Sequence, residues 1–154
     1  MDFVYRKAVL SDSGRIAELF EEMLRTIYHT NDVKGYEDGY LDKFFSGGGD
    51  LIYVAELENK VVAFLSVEVY KDDGYIYLDD FSVTAACRGH GIGTKLIRLA
   101  EEYSASVGIP AVVLHVDKAN EGAHQLYKKL GYLDHEDQGN RILMVKELGK
   151  QTVS

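Results

Sequence analysis

Three glycines at alternate positions, in Arg88-Gly89-His90-Gly91-Ile92-Gly93-Thr94, stand where a strand pattern hands over to a helix pattern. Upstream, residues 75–84 are rich in aromatic and β-branched side chains, as strands are. Downstream, Ile92, Leu96, Ile97, Ala100 and Tyr103 recur at helical spacing until Gly108 and Pro110 end the run. Residues 111–116 then form an apolar run suited to a buried strand. A helix between two strands makes a right-handed parallel crossover the expected connection.

The other elements fall around that unit. Residues 3–8 alternate weakly and make a first strand. Ser11-Asp12-Ser13 is a helix-start signal, and Ile16, Leu19, Phe20, Met23, Leu24 and Ile27 follow at the spacing of one helical face. A weaker second helix is expected over 37–45. Residues 51–57 and 60–70 read as strands of a hairpin joined by Glu58-Asn59-Lys60, and Lys71-Asp72-Asp73-Gly74 is the next turn. Asn120 opens a last helix with Ala123, Leu126, Tyr127 and Leu130 on one face, closed by Gly131 at its C′ position. Strands around 132–135 and 141–147, turned by Gly139-Asn140, complete the pattern, and 149–154 reads as a frayed tail. The order β-α-α-β-β-β-α-β-α-β-β is that of an α/β (α+β) chain, a mixed sheet with helices on both faces. At 154 residues it is expected to be one domain, 1–154.

Charge and cysteine usage narrow the partners. Seventeen Lys and Arg against 25 Asp and Glu leave a net charge of −8, with a pI near 5.1. Nucleic-acid binders carry a basic patch, so that class is not expected, whereas neutral or cationic partners suit the balance. The longest apolar runs, 61–65 and 109–114, fall far short of the roughly 20 residues that span a bilayer, and no basic region followed by an apolar stretch opens the chain. Cys87 has no second cysteine to pair with, which suits a reducing cytoplasm. A cytoplasmic protein with no membrane partner is the expectation.

The glycine loop suggests a ligand. Glycine lets the backbone approach a bound group closely and turn its N–H groups inward. The helix start behind it adds unpaired donors and a positive dipole end, and Arg88 adds a full charge; together they suit a phosphate or pyrophosphate. A Walker loop does not fit, because Lys95 follows Thr94 and Arg88 stands where its first glycine belongs. A Gly-x-Gly-x-x-Gly dinucleotide fingerprint fails as well, the third glycine coming one residue early. Gly47-Gly48-Gly49 has no following helix and no adjacent Arg, and reads as a plain loop.

Arg88-x-x-Gly91-x-Gly93 resembles the acyl-CoA pyrophosphate motif of the GNAT superfamily of N-acetyltransferases. Tyr77-Leu78-Asp79-Asp80-Phe81-Ser82-Val83 is similar to that family's fourth strand. The segment from Asn120 through Tyr127 to Gly131-Tyr132 is similar to its Tyr-x-x-x-Gly-Phe/Tyr signature. The element order agrees over nearly the whole chain. The resemblance implies a GNAT fold: a mixed, mostly antiparallel central sheet of about seven strands flanked by about four helices. It also implies acetyl-CoA as cosubstrate; that no metal is expected follows from the histidine spacing. Arg88, Gly89, His90, Gly91, Ile92, Gly93 and Thr94 would hold the pyrophosphate, and a backbone N–H of Phe81 or Val83, on the Phe81-Ser82-Val83 stretch, would polarise the thioester carbonyl. Asn120 would contact the pantetheine arm.

Catalytic expectations follow from the same resemblance. An amine must be neutral to attack, so a carboxylate nearby can take its proton directly or through water; in several relatives a carboxylate at the Asp79 position resembles such a base. Successive strand residues point to opposite faces, so Asp79 and Asp80 are not one dyad, and Asp79 shares a face with Tyr77 and Phe81 unless a bulge shifts the register. A structural hydrogen bond is the other reading of either acid. Tyr127, by its spacing from Asn120 and Gly131, is expected to protonate the departing thiolate, although an isolated Tyr on that face would read as core. Asn120 is also a plain helix N-cap. Cys87 is read as no nucleophile, His90 as a solvated side chain, and His29, His90, His115, His124 and His135 lack metal-ligand spacing. Tyr28, His29, Tyr36, Glu37, Asp38 and Tyr40 would border the acceptor in such a family, or else form a solvated helix edge.

The expected activity is direct transfer of an acetyl group to the primary amine of a small molecule, with diamines and polyamines as the nearer resemblance. A homodimer is common in similar proteins. The alternatives are an acyl-CoA sensor without turnover and an acetyltransferase of protein N-termini or lysines.

Overall fold

The computed structural model describes residues 1–149; the rest of the segment expected to fray, 150–154, lies outside the described residues. The elements are β1 (Phe3–Lys7), α1 (Ser13–Tyr28), β2 (Leu51–Leu57), β3 (Lys60–Tyr70), β4 (Tyr75–Val83), α2 (Ile92–Ser106), β5 (Ala111–Asp117), α3 (Glu121–Lys129), β6 (Leu133–Asp137) and β7 (Arg141–Glu147). The strand order is β1-β2-β3-β4-β5-β7-β6. β4 and β5 pair in parallel through the α2 crossover, while β1 with β2, β2 with β3, β5 with β7 and β6 with β7 are antiparallel. This is the mixed, mostly antiparallel sheet flanked by helices expected from the sequence. No helix among the described residues is long and apolar enough to cross a membrane.

The expected second helix is corrected. Over 37–45 the chain forms instead a 3-10 segment, Tyr40–Phe45, entered through Gly39 at φ 79°. With three residues per turn, a 3-10 segment eclipses positions i and i+3, so Leu41 and Phe44 both turn inward and are buried. The start of α1 also differs in detail. Asp12 does not cap the helix with its side chain; its carboxylate accepts from the backbone N–H of Val9 at 2.8 Å and from the Arg6 guanidinium at 2.7 and 3.0 Å. Ile27, expected on the apolar face, is exposed in the last turn.

The described residues form two compact units. The first joins Met1–Val67 to Asp80–Leu99. Its core is Ile16, Leu19, Leu41, Phe44, Ile52, Val54, Val61 and Phe64, with Ala8, Phe20, Tyr36 and Phe45 packed against it; each large side chain removed from water contributes about 1.5–3 kcal/mol. The second joins Glu68–Asp79 to the chain from Ala100 onward. Here β5 and β7 pair from Ala111 with Glu147 to Asp117 with Arg141. Val112, Leu114, Val116 and Met144 are buried on one side of that ladder, and Ile76 and Leu78 of β4 are buried in register with Val112 and Leu114.

Candidate active site

The glycine loop lies wholly in the first unit. A short 3-10 turn, Ala85–Cys87, carries β4 into it, and α2 begins at Ile92. Gly89 and Gly91 adopt φ of 80° and 76°, which L side chains rarely take, and a Cβ built on either would meet nothing within 4 Å. The space beside both is therefore open. Gly93 is required for a different reason: a Cβ there would sit 2.7 Å from Cζ of Phe81, whose ring lies against the first turn of α2. The backbone N–H of Lys95 donates to the carbonyl of Gly91, so the N–H groups before it are the unpaired first-turn donors. Arg88 donates through Nε to the carbonyl of Val83 at 3.2 Å, which fixes the guanidinium beside the loop. His90 is exposed as expected but also tied down: its Nδ1 stands 3.1 Å from the carbonyls of both Cys87 and Arg88, two acceptors that place the proton on Nδ1. These features suit a phosphate or pyrophosphate ligand.

The approach to the loop is held from α1 and β3. Glu22 accepts from the Thr84 hydroxyl at 2.9 and 3.1 Å and from the backbone N–H of Ala85 at 3.3 Å, while the N–H of Thr84 donates to the carbonyl of Val62. Ser82, buried, donates to the carbonyl of Leu19 at 3.3 Å, leaving its backbone rather than its hydroxyl for any ligand. The N–H of Asp80 donates to the Ser66 hydroxyl at 2.9 Å, and the Asp80 carboxylate accepts from the Tyr36 hydroxyl at 2.7 Å. Tyr36 is stacked between Phe20, at 3.9 Å between ring centroids, and Tyr40, at 4.9 Å. Thus Asp80 makes the structural hydrogen bond that was one of its two readings, and Asp79 is exposed.

The second unit holds Asp79, Asn120 and Tyr127. Asn120 caps α3, its side chain accepting from the N–H of Ala123 at 3.1 Å. At the other end Gly131, at φ 100°, donates to the carbonyl of Lys128, and Tyr132 donates to the carbonyl of Tyr127 at 3.0 Å. This is a Schellman cap, in which glycine takes the left-handed position and the next residue packs back on the last turn. The Tyr132 ring does so, edge-on to Tyr127 at 6.2 Å. The Tyr-x-x-x-Gly-Tyr spacing is thus a helix terminator that fixes where Tyr127 stands. Tyr132 is fully buried; its hydroxyl donates to Glu101 of α2 at 2.9 Å, and Lys146 of β7 reaches both Glu101 oxygens at 3.1 Å. Burial, then Glu101, pushes the Tyr132 phenol far above its ordinary range. Tyr127 is half-buried, its phenol is pushed up by desolvation, and its hydroxyl makes no hydrogen bond among the described residues.

Sequence reading passed over other groups. Tyr77, His115 and Gln138 form a hydrogen-bonded chain in the second unit, with 2.5 Å from the Tyr77 hydroxyl to Nδ1 and 2.8 Å from Nε2 to the Gln138 oxygen. The available signal was a histidine interrupting an otherwise apolar strand. Cys87 is free and buried, which suits the expectation that it is no nucleophile. Among the described residues no group of three or more His, Cys, Asp or Glu side chains could hold a metal ion.

The family profile described as "Acetyltransferase (GNAT) family" matches residues 16–132. An uncharacterized N-acetyltransferase of Methanocaldococcus jannaschii is 30% identical over 152 residues, covering 94% of this chain and 91% of that protein. A mycothiol acetyltransferase of Streptomyces avermitilis is 25% identical over 100 residues, 65% of this chain but 32% of that longer protein, so the chain spans about a third of its length. Among solved structures, the PaiA N-acetyltransferase of Thermoplasma acidophilum in complex with coenzyme A superposes with a TM-score of 0.78 at 18% identity, over 96% of this chain and 99% of that one. The profile match, spanning more than half of the chain, and the near full-length relative lead to one conclusion: this chain belongs to the GNAT family of acetyltransferases.

Proposed function

We propose that the protein transfers the acetyl group of acetyl-CoA directly to the primary amine of a small molecule. Family membership supports acetyl-CoA-dependent acyl transfer to amines in general. The observation that carries the reading to this chain is the cradle at Gly89 and Gly91: two left-handed glycines with open space beside them, at a helix start, next to Arg88. Arg88 to Thr94 bind the pyrophosphate, and Asn120 adds a polar contact to the pantetheine arm from the start of α3. Phe81 or Val83 polarises the thioester carbonyl through its backbone N–H.

In the reaction, Asp79 attracts the ammonium form of the acceptor and takes a proton from it, directly or through water. The neutral amine attacks the thioester carbon, a second proton leaves the adduct nitrogen, the C–S bond breaks, and the thiolate receives the Tyr127 proton, which solvent then restores. A phenol whose pKa is raised by burial stays protonated at neutral pH and retains a proton to give. The carboxylates at Asp79 and Asp80 and the net charge of −8 favour a cationic acceptor, and diamines and polyamines are the narrower proposal.

Thiol release from acetyl-CoA across a panel of amines, amino acids, aminoglycosides and lysine peptides tests this. Turnover on small amines is expected, most on diamines. Turnover confined to peptides makes the protein a peptide acetyltransferase, and CoA binding without turnover on any amine makes it an acyl-CoA sensor. Thermal protection by ATP or NAD but not by CoA would overturn the cofactor.

A further inference from the structure

Joining an ammonium to an acetyl group removes two protons from nitrogen. One leaves before attack, when the ammonium becomes an amine; the other leaves afterwards, when the tetrahedral adduct carries a positive nitrogen. Asp79 accounts for the first. The geometry of the second unit points to a route for the second.

The β4–β5 register runs from Tyr75 with Ala111 to Leu78 with Leu114. Asp79 and His115 are the next residues on the two strands, and Tyr77 lies two residues before Asp79, about 7 Å along the strand. The Tyr77 hydroxyl and His115 Nδ1 are 2.5 Å apart, with the rings edge-to-face at 5.5 Å. On its far side, His115 Nε2 is 2.8 Å from Oε1 of Gln138. An amide oxygen only accepts, so Nε2 carries the imidazole proton and Nδ1 accepts from the phenol. Gln138 is held in an ordered turn: its N–H donates to the carbonyl of Arg141 at 2.9 Å, and the next N–H, of Gly139, donates to Asp137 at 3.1 Å. Tyr77, His115 and Gln138 are all half-buried. A phenol that gives its proton to an imidazole can take another at its oxygen in the same step.

We propose that Tyr77 and His115 form a proton relay that accepts the second proton of the acceptor nitrogen, with Gln138 as the positioning residue that fixes the imidazole tautomer. The inference rests on the acetyl-transfer reading above. Tyr77 touches the substrate nitrogen; as the C–N bond forms, the N–H proton passes to the phenol oxygen and the phenol proton passes to Nδ1. The thiolate leaves with the C–S electron pair and takes the Tyr127 proton. Asp79 and His115 have then each gained a proton and Tyr127 has lost one, so resetting all three releases one proton to solvent. That matches the net reaction of an ammonium and a thioester giving an amide, a thiol and a proton. Desolvation, with Arg141 of β7 adding to it, lowers the His115 pKa from 6.5 against the opposing pull of Gln138 and of Glu136 on β6, so the imidazole is neutral and able to accept at pH 7.

The test measures kcat against pH with the best amine of the panel for the wild type, Tyr77→Phe, His115→Gln and the double variant. The wild type should lose kcat as pH falls below 6.5. Each single variant should lose at least tenfold in kcat with less than twofold change in the KM for acetyl-CoA and, because a half-buried hydrogen bond is lost, a fall of only about 2–4 °C in Tm. The double variant should lose no more than the worse single one, because the two groups act as one unit. His115→Gln should also lose the acid limb. Nitrogen-15 NMR of the wild-type imidazole should show the proton on Nε2. Full kcat with an unchanged acid limb in both single variants, or a proton on Nδ1, overturns the relay and leaves acetyl transfer standing. A wild type that binds CoA and acetylates no amine overturns both.

Discussion

Replacing Gly93 with alanine tests the glycine loop at its tightest point. In an ordinary helix the change is favourable by about 0.8–1 kcal/mol, because alanine has less backbone entropy to lose. Here the new Cβ would lie 2.7 Å from Cζ of Phe81, 3.5 Å from Cε2 and 3.6 Å from Cε1. A carbon pair at optimal distance is about 3.5–4.0 Å apart, so the ring tip or the helix start must retreat by about 1 Å. An aromatic ring has only two side-chain torsions through which to move, and forcing extra volume into packed surroundings costs about 1–3 kcal/mol. The net loss is then about 1 kcal/mol, a fall of about 2–4 °C in Tm for a chain of this size. The retreat acts on the two segments proposed to hold acetyl-CoA, so its KM should rise several-fold. Calorimetry and thiol-release kinetics measure both. Phe81→Leu in the Gly93→Ala background should recover most of the lost Tm by removing the ring tip. A useful control is Gly122→Ala in the first turn of α3, where a Cβ meets nothing within 4 Å and Tm should hold or rise. Gly93→Ala with unchanged or raised Tm and unchanged KM would refute the reasoning.

The remaining predictions address single groups. Tyr127→Phe should lower kcat more than tenfold in the thiol-release assay, with Tm and CoA affinity near wild type, since the hydroxyl makes no hydrogen bond among the described residues; an unchanged kcat removes it from the mechanism. Gly91→Asp should abolish CoA binding in calorimetric titration, because it adds a negative side chain to a left-handed position beside the pyrophosphate site. Asp79→Asn should lower kcat/KM for cationic amines, and full activity from pH 6 to 9 would exclude it as base. Asp12→Asn should lower stability at pH 7 by about 1 kcal/mol in urea unfolding. Hydrogen bonding to Arg6 holds the Asp12 carboxyl below its usual range, so its contribution is complete above the unfolded pKa of about 3.9 and is lost as pH falls through the lower folded value. The gap between wild type and variant should therefore close in acid.

Legibility followed the range of the interactions. The hairpin of β2 and β3 was readable to the residue, because two runs rich in Val, Ile, Phe and Tyr separated by Glu58-Asn59 are a local signal; both turn residues take left-handed φ in the structure. The Tyr127 to Tyr132 spacing was equally readable, although its physical content, a Schellman cap with Tyr132 packed back on Tyr127, needed the hydrogen bonds to be seen. Residues 37–45 misled because apolar residues at i and i+3 satisfy an α-helix and a 3-10 turn alike. Strand alternation places Asp79 and Asp80 on opposite faces, but that the Asp80 carboxylate is held by Tyr36, 44 residues before it, is visible only in the tertiary structure.

The amino-acid order alone therefore determined the family, the strand and helix sequence and the glycine loop, since each is written in short-range spacing and in the backbone freedom of glycine. Tertiary structure alone decided which polar groups meet. Tyr77 finds His115 across 38 residues and His115 finds Gln138 across 23; Tyr132 finds Glu101 across 31. Those partnerships depend on strand order and register, which shift every side chain when they slip by one residue. No local pattern encodes them, and for that reason the alternating glycines could be read as a phosphate cradle from the outset, whereas a histidine in an apolar strand acquired a chemical role only once its neighbours were placed.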